Sequence, residues 1–344
     1  MTGTGTGTVL VTGAGGYVGS LLVRHYRDLG VDVVAHGRTM GDLADADPFT
    51  AVTAEQRDGI THIVHSGAIT RFDVERDTAR TVNVEGTEKV LDFARSCPRL
   101  ESFGMVSTVY STGLRAGPIE ERAYDDEAGF ANDYEWSKWE AERLVATADD
   151  LPWRILRVAT VIADDDSGCV TQYNAFHETL KLWFHGLLPL VPGDADTVLY
   201  LVTGDFVTSA IVTLMDLVGA AGVYHVAHAA ERSLTLAQAL DVVSEAFEAV
   251  ESFRRRRVLR PLLGDRETFD LLASGVGAFG GGLVRQSLGS VVPFARQLFV
   301  AKQVDNARLR HALGDAYQAP DPAELVRRTC EALIGSKWGR NAVA

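Results

Sequence analysis

Basic residues are in short supply: 33 Lys and Arg stand against 46 Asp and Glu, a net charge of −13 at pH 7. Such a chain has no cationic excess with which to displace counterions from a phosphate backbone, so nucleic acid is not expected as a partner. Cysteine is scarce as well. Cys97, Cys169 and Cys330 are odd in number, far apart and without metal-ligand spacing, which excludes a disulfide framework, gives no metal site and predicts free thiols in a reducing cytoplasm. No run of eighteen uninterrupted apolar residues occurs, so no transmembrane segment is expected. The Gly-Thr repeat over residues 1–8 lacks both the basic and the apolar region of a secretory signal. The expected location is cytoplasmic. What the chain does have is 46% hydrophobic residues over 344 positions, enough for a large core built as one α/β unit with a smaller appended region.

Glycine is placed with purpose near the start. Residues 9–19, Val-Leu-Val-Thr-Gly-Ala-Gly-Gly-Tyr-Val-Gly, run an apolar strand straight into a Thr-Gly-x-x-Gly-x-x-Gly turn, and a helix-compatible segment follows. Gly13 would allow the sharp turn, Gly16 would let the backbone approach a pyrophosphate, and Gly19 would permit close helix–strand packing, with Tyr17 and Val18 opening the helix. Its free N–H groups would then point at negative charge. A structural strand-to-helix connection is the plainer alternative.

Beyond that turn, short apolar runs at 31–36, 61–65, 102–107 and 153–161 alternate with helical patterns at 75–96 and 134–149. The alternation predicts a Rossmann-like, doubly wound parallel sheet with helices on both faces. A helix signal at 204–218 and a strand at 222–227 return the chain to the sheet after an excursion at 164–200. Residues 230–344 read as mostly helical, with Thr235 capping a helix over 236–250 and Pro320-Asp321-Pro322-Ala323-Glu324 opening the last one; they should cover the site.

Two further patterns carry chemistry. Tyr134-Glu-Trp-Ser-Lys138 puts a phenol and an ammonium on one helix face, where the cation is expected to draw the tyrosine pKa down toward neutrality for carbonyl chemistry. Met105-Val-Ser-Thr-Val-Tyr-Ser-Thr-Gly113 sets hydroxyls just past a buried strand, at the edge where open α/β sheets bind ligands, with Thr108 as the candidate carbonyl-orienting group. At the end of the second strand, Ala35-His36-Gly37-Arg38 offers an arginine where an NAD-preferring enzyme would place an acid, which favours the 2′-phosphate of NADPH over NAD. A solvated Arg38 is the alternative.

These residues, in this order, resemble the extended short-chain dehydrogenase/reductase family. His65-Ser66-Gly67-Ala68 and Asn83-Val-Glu-Gly-Thr87 match two further signatures of that family, and the resemblance covers about residues 8–230. It implies Tyr134 as acid/base, Lys138 as the group that binds the nicotinamide ribose and tunes the tyrosine, and Thr108 as the hydroxyl bonded to the substrate carbonyl. Ser66, Gly67 and Ala68 would line the cofactor site, and Asn83 would be a weaker structural or cofactor contact. Asp42-Leu43 resembles an adenine-contacting pair of compact relatives such as dehydrorhamnose reductases. The expected division is 1–163 as the NADP-binding unit, completed by about 198–229, with 164–197 and 230–344 as the substrate-binding region.

Within the family, Ser66-Gly-Ala-Ile-Thr-Arg-Phe-Asp73, Ser107-Thr-Val-Tyr-Ser-Thr-Gly113, Asn132-Asp-Tyr-Glu-Trp-Ser-Lys-Trp-Glu-Ala-Glu142 and Tyr200-Leu-Val-Thr-Gly-Asp-Phe-Val207 resemble the thioester reductases and the male-sterility type of fatty acyl-CoA reductases. The compact 38–61 segment and the Val158-Ala159 pair, where a proline-containing turn is usual, depart from that pattern. The branch implies NADPH-dependent reduction of an acyl thioester, on CoA or a carrier protein, to aldehyde or alcohol. The alternatives are an NAD(P)-dependent oxidoreductase or epimerase acting on a sugar nucleotide or another small carbonyl or hydroxyl metabolite, and a non-catalytic NADPH sensor. The glycine-rich apolar stretch 271–300 reads either as a lid over an acyl chain or as ordinary helix packing. Arg254-Arg-Arg-Arg257 with Arg260 reads either as a solvated face or as a grip on coenzyme A phosphates or an acidic carrier. Monomer and homodimer are both open.

Overall fold

A computed structural model describes residues 7–219, 221–275 and 294–339. Six strands, β1 (Thr8–Thr12), β2 (Asp32–His36), β3 (Ile60–His65), β4 (Ser102–Thr108), β5 (Trp153–Val158) and β6 (Gly222–Val226), form one sheet in the order β6-β5-β4-β3-β1-β2. Every neighbouring pair is parallel. Strands buried on both faces need continuous apolar runs, and Val9, Leu10, Val11, Ile63, Val64, Phe103, Met105, Ile155 and Leu156 supply them at 3% exposure or less. From β1 the chain steps to β2 on one side and to β3 on the other, so the order reverses at the carboxyl ends of β1 and β3, where ligands of open α/β sheets bind. The expected doubly wound sheet is present.

Two expectations need correction. The run at 153–161 is two strands: Trp153–Val158 stays in the main sheet as β5, whereas Thr160–Ala163 leaves it to pair with Leu201–Thr203. The break falls at Ala159, whose N–H still reaches Val226 of the main sheet while that of Thr160 bonds Tyr200. The helical pattern at 75–96 is interrupted by a π-helical turn, Arg80–Glu85, between Arg76–Ala79 and Gly86–Arg95. Such turns insert a residue into the ladder, often beside functional sites; here it holds Asn83, whose amide bonds Ile69 and Ser137. Among the described residues the region after 230 is mostly helical, as expected, and its short strands Leu234–Thr235, Leu262–Gly264 and Lys302–Val304 pair with Val198–Leu199, Leu190–Pro192 and Gly117–Ile119. Other helix readings match closely: Gly204–Asp216, Leu236–Glu248 with Thr235 and Gln238 forming a capping box, and Pro322–Gly335 capped by Asp321.

Beside the sheet core lies a second apolar cluster, in which the rings of Phe184, Phe247 and Phe253 touch one another, Trp183 meets Phe247, and Leu325 and Cys330 pack in. Cys97, Cys169 and Cys330 are all free thiols. Among the described residues no helix is long and apolar enough to cross a membrane.

Candidate active site

The glycine turn closes at the switch point. Gly13 adopts φ +67°, a left-handed conformation that a side chain disfavours, and its carbonyl accepts the Gly16 N–H at 2.8 Å. A Cβ on Gly19 would come within 2.1 Å of that same carbonyl. The following helix, Tyr17–Asp28, starts from Gly16 with no side-chain cap and no acidic residue in its first turn. Its donors are therefore left for an anion. From the other side of the reversal, Ser66 Oγ donates to Thr12 O at 2.7 Å, and the Gly67 N–H to Thr12 Oγ1 at 3.2 Å. His65 joins Thr12 at 2.8 Å and Thr87 at 3.0 Å. Burial, with Lys138 and His36 nearby, pushes its pKa down to about 3, so it holds the two elements together as a neutral ring.

Other proposed cofactor contacts divide. Arg38 is exposed at the end of β2, whereas Leu43 is buried and stands against Gly67 and Gly86. Asp42 accepts from its own turn at Ala44. The Tyr17 phenol donates to Asp164 at 2.6 Å, joining the glycine turn to the segment after residue 163. Asn83 is committed to Ile69 and Ser137 as a brace, and its amide is occupied within the protein.

Thr108, Tyr134 and Lys138 converge where β4 meets the helix Asp133–Ala146. Asn132 caps this helix by accepting the Glu135 N–H at 3.0 Å. All three side chains are buried, at 6%, 8% and 3% exposure. Thr108 and Tyr134 share a side-chain hydrogen bond. Phe72 meets the Tyr134 ring edge-on at 5.6 Å, and Phe294 lies 6.0 Å from Phe72. The hydrogen bond of the ammonium goes to the backbone: Lys138 Nζ donates to Val106 O at 2.8 Å. The expected lowering of the tyrosine pKa does not occur. Burial holds it above the ordinary value, with the Thr108 hydrogen bond working the other way, so the phenol is neutral. Burial pushes Lys138 down to about 8, while Glu142 favours its charge.

Sequence reasoning missed the polar layer beneath these residues. Glu142 continues the four-residue spacing of Tyr134 and Lys138. It accepts from Ser107 Oγ at 2.5 Å, Ser111 Oγ at 2.6 Å and Arg157 Nη2 at 2.7 Å. A second buried carboxylate, Glu135, accepts from Gln297 Nε2 at 2.8 Å and the Ala131 N–H at 2.9 Å. Burial raises it to about 7 against the pull of these donors and of the Lys302 charge. Lys302 in turn bonds the Gly113 carbonyl and is pushed down to about 8 by burial. The continued spacing is the signal that could have found Glu142; Gln297 and Lys302 have none.

The Arg254-Arg-Arg-Arg257 run and Arg260 are exposed. Arg255 pairs with Glu251, Arg260 with Asp241, and Arg256 lies over the Phe184 ring. Most of the 271–300 stretch, residues 276–293, lies outside the described residues.

A family model described as Male sterility protein matches residues 49–211. Probable fatty acyl-CoA reductase 4 of Arabidopsis thaliana is 22% identical over 250 residues, covering 56% of this chain and 51% of that one. The chain spans about half or less of the length of the curated relatives it matches. Among solved structures, the terminal R domain from the myxalamid PKS-NRPS biosynthetic pathway gives a TM-score of 0.74 at 22% identity, over 98% of this chain and 92% of that one. A thiolation-reductase di-domain from an archaeal non-ribosomal peptide synthetase gives 0.68 at 17%, over 97% and 76%. With the sheet order and the matched segment agreeing, the chain resembles the extended short-chain dehydrogenase/reductase family and, within it, the male-sterility type of acyl-CoA reductases.

Proposed function

We propose that this chain is an NADPH-dependent reductase of an acyl thioester, carried on CoA or a carrier protein, yielding aldehyde or alcohol. The observation that carries the reading is the buried, neutral Tyr134 phenol sharing a hydrogen bond with Thr108 at the ligand edge of the sheet. A protonated phenol is the form that reduction needs, whereas alcohol oxidation would call for a phenolate. The curated relative, a probable fatty acyl-CoA reductase, supports the choice of an acyl group over a sugar nucleotide.

The residues present fit the cofactor. Gly13, Gly16 and Gly19 and the uncapped helix behind them suit a pyrophosphate. Ser66-Gly67-Ala68 lines the opposite wall, Arg38 is free in solvent for a 2′-phosphate, and Lys138 is the cation for the nicotinamide ribose. The bound dinucleotide supplies hydride to the carbonyl carbon. Thr108 and Tyr134 orient the carbonyl oxygen and stabilise the negative charge that develops on it. Tyr134 gives up its proton to that oxygen, forming a hemithioacetal, and Lys138 offsets the charge left on the phenolate. Collapse of the hemithioacetal breaks the carbon–sulfur bond and releases thiol and aldehyde. For the carrier, Arg254 and Arg257 are exposed cations with no carboxylate partner among the described residues, suited to phosphates or an acidic protein face.

The test is NADPH and NADH consumption with acyl-CoA and acyl-pantetheine thioesters and the matching aldehydes, with products identified by mass spectrometry. Thioester-dependent aldehyde supports the proposal. Reduction of aldehydes alone removes the thioester step, and failure to bind either cofactor overturns the reading.

A further inference from the structure

The geometry assigns Glu142 as a positioning residue: it struts the strand end bearing Thr108 against the helix bearing Tyr134 and Lys138, and keeps Lys138 cationic. This rests on the reductase reading above. Three observations on different elements support it. Tyr134, Lys138 and Glu142 recur every fourth residue, so they share one face of the Asp133–Ala146 helix. The Glu142 carboxylate, only 4% exposed as a residue, reaches back to β4 through Ser107 at 2.5 Å and to the turn after it through Ser111 at 2.6 Å. Ser111 Oγ also lies 2.8 Å from the Thr108 carbonyl, so the strut ends on the residue that bonds Tyr134.

Glu142 is ionised despite burial. Arg157, fully buried on β5, grips it through Nε at 3.1 Å to both carboxylate oxygens and through Nη2 at 2.7 Å. Arg157 and the two serines hold its pKa below the ordinary carboxylate value against the cost of burial. Arg157 is itself fixed by the Arg122 carbonyl at 3.0 Å and His225 Nε2 at 3.3 Å. The titratable groups around Lys138 are Tyr134 and Glu142 on its own helix and His65 at the end of β3, with Arg157 and His225 behind Glu142 on β5 and β6. His65 and His225 are both held neutral by burial. Glu142 is thus the anion that opposes the desolvation of Lys138.

The sign follows directly. The Lys138 ammonium is lost as pH rises through its folded pKa of about 8, and removing a neighbouring carboxylate charge lowers that pKa. For Glu142→Gln, the alkaline limb of kcat/KM for NADPH-dependent reduction should therefore move toward acid by about one pH unit or more. A merely structural role would lower the amplitude without moving the limb. Because Glu142→Gln leaves Arg157 buried without its anion, the double variant Glu142→Gln/Arg157→Met is measured alongside. A limb that stays displaced in the double variant supports the assignment. Return of the limb to its wild-type position means that Glu142 only neutralises Arg157, and overturns it. So does a folded Glu142→Gln enzyme with the wild-type limb and kcat within threefold. If the single variant does not fold, the double variant decides in the same way. Running a thioester and an aldehyde in parallel separates the two readings: wild type that reduces only the aldehyde removes the thioester proposal and leaves the limb comparison intact.

Discussion

Replacing Gly19 with alanine should damage both the fold and cofactor binding. The added Cβ would lie 2.1 Å from the Gly13 carbonyl oxygen, 2.7 Å from its carbon and 2.9 Å from Ser66 Oγ, where ordinary contact begins at 3.4 Å. The carbonyl would have to retreat by more than an ångström. It has little room, because the Cβ position of Gly13 is itself 2.6 Å from the Gly67 backbone at the end of β3. Overpacking of this kind costs about 1–3 kcal/mol, and at roughly 2–4 °C per kcal/mol the melting temperature should fall by about 2–12 °C. The same displacement withdraws backbone donors from the pyrophosphate. Losing one charge-assisted bond of about 1.5–3 kcal/mol weakens NADPH binding roughly 10- to 150-fold. Gly15→Ala is the control, since a Cβ there meets no protein atom within 4 Å, and its melting temperature should match wild type. Thermal melts and titration of NADPH fluorescence read both quantities. A Gly19→Ala protein that melts with the Gly15→Ala control and binds NADPH as tightly as wild type would refute the cradle argument.

Tyr134→Phe should cut kcat by about 10²–10⁴-fold, the range for a general acid, while NADPH binding and the melting temperature stay near wild type; a loss under tenfold in single-turnover assays contradicts the acid role. Arg38→Glu should raise the KM for NADPH at least tenfold and spare NADH, since a carboxylate repels the 2′-phosphate and accepts ribose hydroxyls; an unchanged NADPH/NADH ratio argues that Arg38 only faces water. Phe72→Ala should change KM more than kcat for apolar acyl chains, because the ring borders Tyr134 without a polar role; equal effects on short and long chains would place Phe72 off the substrate path. Glu135 gives a pH signature. Its folded pKa of about 7 lies above the unfolded carboxylate value, so the native state binds the proton more tightly and stability falls as pH rises from about 4.5 to 7. Glu135→Gln should flatten that part of the stability curve, and urea midpoints across the window that decline as in wild type would contradict it.

Local signals made much of the site readable. The apolar runs that become β1 to β5 and the spacing of Gly13, Gly16 and Gly19 are contiguous in sequence, and each has one cheap conformation. Thr108 and Tyr134 follow from a strand end and a helix start. The break at Ala159 was not readable, because the residues on either side are equally apolar and only the competing partners, Val226 and Tyr200, separate them. The bond from Lys138 to Val106 depends on where β4 passes the helix, which spacing along one helix does not contain. The inward face of the Asp133–Ala146 helix is Tyr134, Glu135, Ser137, Lys138, Ala141, Glu142 and Val145, mostly polar, so an apolar-periodicity search sees no buried face there. The anions on that face are satisfied by Arg157 and Gln297, which lie on other elements and complete a polar network that burial requires and sequence order conceals.

The pairing of Lys302–Val304 with Gly117–Ile119 has a consequence for assembly. Both Lys302 and Gln297 bond the Gly113 carbonyl, so the loop that follows Thr108 is finished by residues almost two hundred positions downstream. Contacts of such separation close late, after the loop entropy between them has been met. During synthesis the first five strands can form while the protein is still emerging, and the cofactor turn with them. The loop after Thr108 has to wait for the Lys302–Val304 strand, so the nascent chain closes its glycine turn well before it finishes the surroundings of Thr108 and Tyr134.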